Sequence, residues 1–422
     1  MKVAFIILIF CPFLSFGQTK WMLQDCIDSA LINNPEMQLS DLDLSIAEIN
    51  AKSEKLNYLP SLSGNASHGY NWGQTIDPFT NSFASDRVRY NNFYLSSSVT
   101  LFSGLQNYYE SKIASIDQEI ILANKQVDQR NLTLEIIGAY LQVKLNEEIV
   151  SLNRKHLTYS QEQARRARLL EDLEFETKRR RLESEAQETN DQYELVQSEN
   201  DLKRSTVLLQ MLIGREPDTL FLLADSISLV NKPIVDETQV DLLQAQRNLL
   251  QSKQLKGRFS PSLTLNGALG SGYSENNQFT GPDGSLIPKP FGNQINENFY
   301  QSVFVNLSIP IFNGTSSYAD IKVNEKEYER VQIESRQRAT ELTNSKLQNR
   351  LEVENQRTAL NFAQISFESY QLLFDESSMQ YDNGAISYYD YLQNKDAFLN
   401  AESELIQAKY RLRFAEMVND MF

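Results

Sequence analysis

The sequence predicts a mainly helical chain with a small membrane β part, written twice. Three observations carry this: a repeated strand-to-helix transition, two long tracts free of helix breakers, and four segments of alternating polarity. The transition reads SVTLFSGLQNYYESK from Ser98 and VNLSIPIFNGTSSYADIK from Val305. Each copy alternates apolar and polar residues, meets an aromatic-x-Gly stop and then stays polar. A second pair of markers, Pro60-Ser61-Leu62 and Pro261-Ser262-Leu263, opens an alternating segment in each half. Two landmarks in the same order, each repeated about two hundred residues on, indicate an internal duplication.

Residues 1–17 form a secretory signal peptide. Lys2 supplies the positive end, Val3 to Phe16 the apolar run, and Ser15 and Gly17 the small residues of a cleavage site before Gln18. The run is short for a membrane span, which takes about 20 residues. Phe10 is too bulky to precede a lipidated Cys11. After cleavage Cys26 stands alone, so no internal disulfide forms.

The first repeat, 18–214, begins with a helix and continues into strands at about 61–72 and 92–103. In the first strand Leu62, Gly64, Ala66, His68, Tyr70 and Trp72 share one parity against Ser63, Asn65, Ser67 and Asn71. In the second, Phe93, Leu95, Val99 and Leu101 share a parity. From Gly104 to Gly214 there is no proline, and Gly138 is the only intervening glycine. Helix interiors exclude both residues, so this tract holds a helix over about 105–172 and another over about 175–213. Ile113, Ile116, Ile120, Ala123, Val127, Leu134, Ile137, Leu141, Leu145, Ile149 and Leu152 step mostly by three and four. That predicts a narrow coiled-coil-type seam on a rod roughly 100 Å long.

Residues 215–240 join the repeats. The second repeat, 241–422, has a helix, strands at about 262–273 and 299–312, a long helix over about 315–381 and a last helix over about 386–420. Leu263, Leu265, Leu269 and Tyr273 share a parity in its first strand; Phe299, Val303, Val305, Leu307, Ile309 and Ile311 do so in its second. From Gly314 onward there is no proline, and Gly384 is the only internal glycine. Leu347, Leu351, Phe362, Ile365 and Leu372 mark a sparser seam.

Each strand alone would suit a half-buried sheet in a sandwich. Four together, each near the 9–11 residues that cross a bilayer when tilted, with polar loops at 73–92 and 274–298, indicate membrane strands. Four strands cannot close a barrel, since the smallest has about eight, and open edges in lipid are costly. Other copies must complete the wall. Three would give twelve strands; two or four are also geometrically conceivable.

Composition excludes other classes. A formal charge of −15 argues against nucleic acid as a partner. No catalytic constellation, P-loop or dinucleotide fingerprint is present, so neither an enzyme nor a cofactor is expected. His68 and His156 are the only histidines and sit apart in a strand and a polar helix.

The stretch LQDCIDSALINNPEMQLSDLDLSIAEINAKSEKLNYLPSLSGNASHGY resembles the first helix and strand of the TolC-like outer-membrane efflux proteins. In the second half, YDNGAISYYDYL from Tyr381 is similar to that family's periplasmic-tip motif of Gly, then Ser or Thr, then Asp. The resemblance spans nearly the whole mature chain, duplication included. It implies a homotrimer with a twelve-stranded β-barrel in outer-membrane lipid. It also implies a coiled-coil-like α-helical tunnel in the periplasm and an equatorial belt to which 215–240 contributes. No C-terminal belt extension of the kind some members carry is expected. The implied function is the exit duct of a tripartite efflux pump or type I secretion system, a passive conduit docked to a periplasmic adaptor (membrane fusion) protein and an inner-membrane pump. A trimeric surface adhesin and a passive porin-like channel are the alternatives. Two separated blocks of strands disfavour the adhesin, and over two hundred helical residues disfavour the porin.

By the same resemblance Tyr381, Gly384, Ser387, Asp390 and Gln393 would line a periplasmic aperture. Gly384 would make the turn and Asp390 an acidic ring; Gln393 stands where some relatives carry a second aspartate. In the first half the usual glycine falls near Glu174 and the usual aspartate near Arg180. Lys178, Arg179, Arg180 and Arg181 would neutralise the Asp390 ring or meet an acidic adaptor, or simply be solvated. Asp390→Ala with Tyr381→Phe is expected to raise single-channel conductance.

Overall fold

The computed structural model describes residues 20–77, 79–81, 83–84, 87–217, 221–225, 238–312 and 314–421. The signal peptide, Cys11, residues 18–19 and, within the inter-repeat segment, residues 218–220 and 226–237 lie outside the described residues. In chain order the first half holds α1 (Leu23–Asn33), α2 (Pro35–Leu56), β1 (Ser61–Asn71), β2 (Thr75–Ile76), β3 (Phe83–Ala84), β4 (Val88–Ser103), α3 (Gln106–Asp172) and α4 (Lys178–Leu212). The second half holds α5 (Thr238–Gly257), β5 (Ser262–Ser274), β6 (Gln278–Thr280), β7 (Leu286–Pro288), α6 (Phe291–Glu297), β8 (Tyr300–Ser308), α7 (Ser316–Asp382) and α8 (Tyr388–Met421). The duplication is visible in the helices: α3 and α7 each contain 67 residues. No helix among the described residues is long and apolar enough to cross a membrane.

The chain divides into two compact units, and each draws on both repeats. One comprises Asp43–Leu122 and Thr238–Arg336. Its centre is an antiparallel sheet in the order β1-β4-β5-β8, so the two repeats meet along the β4–β5 pair. The register sorts the side chains by face. One face carries the rows Gly64–Leu95–Leu269, Val99–Leu265–Val305 and Phe102–Leu263–Leu307. The other carries Ser63–Ser96–Ala268–Ser302 and Thr100–Thr264–Asn306. The Ser63 and Ser96 hydroxyls lie 2.8 Å apart across this polar face. The outer edges of β1 and β8 have no strand partner among the described residues.

Two details depart from simple alternation. The register shifts between Thr100 and Phe102, so Leu101 is the extra residue of a β-bulge and Phe102, not Leu101, pairs with Leu263 on the apolar face. β8 ends at Ser308 rather than near 312 because Pro310 has no N–H to continue a ladder. At the other end β8 stops pairing where Tyr300 meets Gly270. There Gln294 of α6 stands in for a strand: its amide accepts from Ser274 N and donates to Ser274 O, both at 3.0 Å. Asn298 donates to Gly272 O at 2.8 Å.

Gly104 explains the aromatic-x-Gly stop. Its φ is +66°, and a Cβ there would lie 2.3 Å from the carbonyl oxygen of Gly257 at the end of α5. Only glycine permits both the left-handed turn and that approach. α5 is tied along α3 by Arg247–Asp117 at 2.5 Å and Gln254–Glu110 at 2.8 Å, and to α7 by Asn324 donating to Asn248 O.

The other unit comprises Met1–Leu42, Ala123–Glu237 and Gln337–Phe422. Its apolar core joins Leu23, Cys26, Ile27, Ala30 and Met37 to Leu132, Ile136 and Tyr140 of α3, with Leu209 and Ile213 of the α4 end. Trp21 pairs in parallel with Leu223, and the Tyr140 hydroxyl donates to Ala224 O at 2.8 Å, clamping the segment after α4 to α3. The seam on α3 is therefore broader than a coiled-coil stripe at this level, because α1 and the 221–225 segment cover a second face. Burial raises the Cys26 thiol to about 12, so it is a packing group. By contrast Leu347, Leu351, Phe362, Ile365 and Leu372 on α7 are exposed in the single chain, as are Leu39, Leu42, Ile46 and Ile49 on α2.

Candidate functional site

The two long helices end in turns of one design. After α3, Glu174 N donates to Glu171 O at 2.8 Å and Phe175 N to Leu170 O at 2.8 Å. After α7, Gly384 N donates to Tyr381 O at 3.0 Å and Ala385 N to Gln380 O at 2.8 Å. Both pairs form a Schellman closure around a left-handed residue, Glu174 with φ +61° and Gly384 with φ +73°. A side chain in that conformation is strained, so Glu174→Gly is expected to stabilise the turn by roughly 0.5–1 kcal/mol. An upward shift in the thermal midpoint of the helical circular-dichroism signal would register this; a fall would contradict it.

The next helices start on hydroxyl caps. Thr177 accepts from Arg180 N at 3.4 Å. Ser387 accepts from Asp390 N at 3.2 Å and donates to Asp390 Oδ2 at 2.7 Å. Asp390 and Gln393 are exposed, as is Lys178. Arg179 pairs with Glu183 at 2.8 Å, and Arg181 binds Glu171 and Glu185. Within the protomer these guanidiniums thus meet glutamates, and the carboxylate of Asp390 meets the Ser387 hydroxyl.

Arg180 joins the two turns. Its guanidinium lies 4.2 Å from the ring centroid of Tyr381 and 4.9 Å from that of Tyr388, and its Nη1 is 2.9 Å from Glu176. The hydroxyl of Tyr381 and the Nε of Arg180 are buried without a hydrogen-bond partner, so the stacked ring and cation are the contact that matters. Beneath them is an aromatic column. Tyr381 stacks on Tyr391 at 4.9 Å, Phe374 on Phe398 at 5.2 Å, and the Tyr159 and Tyr391 hydroxyls share a short hydrogen bond. The sequence carries a signal for this: Phe367, Phe374 and Tyr381 recur every seventh residue, as do Tyr391 and Phe398.

Under the column is a buried polar cluster, also unforeseen. Lys395 Nζ lies 3.5 Å from Asp191 Oδ2 with side-chain exposures of 3% and 8%, and 5.2 Å from the Tyr159 ring. Gln187 donates to Asp191 Oδ1 at 2.8 Å. His156 Nε2 is buried without a hydrogen-bond partner, 3.8 Å from Glu402. Burial, then the Lys395 charge, holds the imidazole down at about 4, outweighing attraction from Asp191. The folded value lies below the unfolded one of 6.5, so the unfolded chain binds the extra proton between them. Stability is lost as pH falls from 6.5 towards 4, by up to roughly 3 kcal/mol at 1.36 kcal/mol per unit. Burial raises Glu402 and Asp396, which acts in the opposite sense within the carboxylate range. His156→Gln is expected to flatten the decline between pH 6.5 and 4 in denaturant titrations; an unchanged slope would remove the histidine from it.

A family model described as outer membrane efflux protein matches residues 26–215 and 237–417, one stretch in each repeat. Outer membrane efflux protein BepC of Brucella suis is 21% identical over 330 residues, 74% of this chain and 66% of that protein, so the chain spans just under two thirds of that relative's length. Among solved structures, VceC of Vibrio cholerae superposes with a TM-score of 0.76 at 14% identity, covering 94% of each chain. The Campylobacter jejuni CmeC outer membrane channel gives 0.78 at 14% identity over 94% of this chain and 84% of that one. The open-state Neisseria gonorrhoeae MtrE outer membrane channel gives 0.71 at 19% identity over 94% and 87%. At such identities the structural likeness speaks to the fold.

Proposed function

The chain belongs to the outer membrane efflux protein family, and from that premise we propose that it is the outer-membrane exit duct of a tripartite efflux pump or type I secretion system. It works as a homotrimer, its helices extend into the periplasm, and a periplasmic adaptor protein couples it to an inner-membrane transporter. One observation carries this reading: a four-stranded sheet with an oily face, a hydroxyl-lined face and two edges unpaired among the described residues. In lipid such edges cost several kcal/mol per unpaired group, so β1 of one copy joins β8 of the next. Three copies make twelve strands around a polar lumen. The oily rows run from Phe93 to Phe102, roughly 30 Å along the strand and roughly 23 Å of bilayer at a tilt near 40°, close to the apolar band of membrane barrels. The exposed stripes on α2 and α7 supply the apolar surface that neighbouring copies cover.

At the α7–α8 turn, Tyr381, Gly384, Ser387, Asp390 and Gln393 form the periplasmic aperture, each appearing three times around the axis. The sequence carries no P-loop, and in this reading the partner pump supplies the energy. The test is deletion of the gene followed by exposure to dyes, detergents and antibiotics, with crosslinking of the tagged protein in cells. Hypersensitivity together with capture of an adaptor at cysteines placed on the α3–α4 and α7–α8 turns is expected. Unaltered sensitivity with no adaptor captured would contradict the duct.

A further inference from the structure

The loops that join the strands of the two repeats go to opposite faces of the sheet. The second-repeat loop lies on the oily face. Ser271 Oγ donates to Ile295 O at 2.5 Å, and Phe291 of α6 packs on Tyr273 and Phe93 with ring centroids 5.6 and 6.2 Å away. Ser271, Tyr273 and Phe93 share the parity of Leu95 and Leu269. The first-repeat loop lies on the polar face. There Gly272 pairs with Asn92 and Ser274 with Tyr90, on the parity of Ser96 and Ala268. Phe79 covers Gly272 so closely that a Cβ there would meet the ring Cζ at 2.0 Å. Asp77 holds the loop down, and it is fully buried. Its Oδ1 accepts from Phe79 N at 2.9 Å and Thr80 N at 3.2 Å, closing a local turn. Its Oδ2 accepts a short hydrogen bond from the Ser274 hydroxyl of β5. A carboxylate without water is costly unless hydrogen-bonded, so the loop keeps the Asp77–Ser274 contact only by staying on this face.

We propose that the first-repeat loop forms a neck inside the outer mouth of the duct, with Phe79 as the residue that limits the size of what passes and Asp77 as the residue that positions it. The inference rests on the barrel reading above, which turns the polar face to the lumen. Side chains fill a barrel of about eight strands, and about sixteen to eighteen leave an aqueous channel, so a bore of about twelve has little width to spare. Three loops folded inside it, one per copy, narrow it at the loop end. The two repeats thus divide the work: one loop lines the bore and the other packs outside the wall.

The test uses the full chain in intact cells, with one cysteine added at a time and labelled from outside. The probes are a short sulfonated maleimide and a maleimide carried on a long polyethylene glycol. Cys26 is buried and gives little background. Ser96→Cys lies on the polar face deeper than Gly272, and Leu286→Cys lies on the exposed β6–β7 hairpin. The long reagent is expected to label Leu286→Cys nearly as fast as the short one, and Ser96→Cys at least tenfold more slowly. Adding Phe79→Ala is expected to raise the long-to-short rate ratio at Ser96→Cys severalfold, and Phe79→Ala with Asp77→Ala to raise it at least tenfold. Asp77→Asn alone is expected to raise it little, because an amide oxygen still accepts the two N–H groups; a rise as large as that of Asp77→Ala would remove the positioning role. An unchanged ratio in Phe79→Ala overturns the neck, and that variant decides the matter even if the double variant does not assemble. Leu95→Cys, on the oily face, tests the reading beneath. Labelling of Leu95→Cys as fast as Ser96→Cys refutes the barrel reading; labelling confined to Ser96→Cys with an unchanged ratio refutes the neck alone.

Discussion

Arg180→Ala is expected to raise single-channel conductance several-fold in planar bilayers, on the proposal that the α7–α8 turn forms the aperture. In the structure this guanidinium is the link between the start of α4 and the α7–α8 turn, stacked on Tyr381 and Tyr388. Each such contact contributes about 0.5–2 kcal/mol when desolvated, so in the proposed aperture the pair would stabilise a closed arrangement by about 2 kcal/mol per protomer. Opening an aperture requires the helical hairpins to part, which breaks this link and leaves the contacts along each hairpin intact. A loss of about 2 kcal/mol shifts a closed-to-open equilibrium by about thirtyfold. Arg180→Lys keeps the charge but not the planar stack and is expected to fall between. Tyr381→Phe and Asp390→Ala are expected to differ in size of effect. The Tyr381 hydroxyl has no partner, so its removal alone changes little, while Asp390→Ala frees the Ser387 hydroxyl and removes an exposed charge. Conductance equal to wild type in Arg180→Ala would remove the stack from the gate.

The second large effect lies deeper. Asp191→Ala leaves Lys395 without its paired carboxylate in a site where its side chain is 3% exposed, with an aromatic ring, an imidazole and the more distant Asp396 for neighbours. Removing one partner of a buried pair costs about 3–5 kcal/mol, because the other charge stays desolvated. Lys395→Met alone is milder, since Asp191 keeps the Gln187 amide. The double variant Asp191→Leu with Lys395→Met removes both charges at similar volume and is expected to recover most of the loss. The denaturant midpoint of the helical signal reports all three. A single variant as stable as wild type would show that water reaches the pair; a double variant no better than Asp191→Ala would assign the loss to packing.

Much of the fold was legible because its signals are local. Breaker-free tracts from Gly104 and from Gly314 announce α3 and α7, and strict alternation around Leu95, Leu265 and Val305 announces which face of the sheet is oily. The bulge at Leu101 was not legible, because it depends on which β5 residue lies opposite. The broad burial of α3 near Tyr140 was also hidden, since it depends on α1 and residues 221–225 returning to cover it. At the turns, the family resemblance puts the usual glycine near Glu174, and a φ of +61° there shows the left-handed conformation that a glycine would favour. The run Lys178–Arg181 was visible as charge alone. That Arg180 stacks between two tyrosines whereas Arg179 and Arg181 pair with nearby glutamates is set by helix phase at the turn. The Lys395–Asp191 pair joins residues some two hundred positions apart, and no local pattern announces it.

Among the described residues the outer edges of β1 and β8 are unpaired, and in the proposed homotrimer identical neighbours satisfy them. The most direct test is the native mass of the mature protein extracted from outer membranes in mild detergent, with the chains counted after stepwise crosslinking. Three chains in one complex, lost to aggregate when the detergent is removed, is the predicted result. A folded single chain, stable in detergent-free buffer, would contradict it.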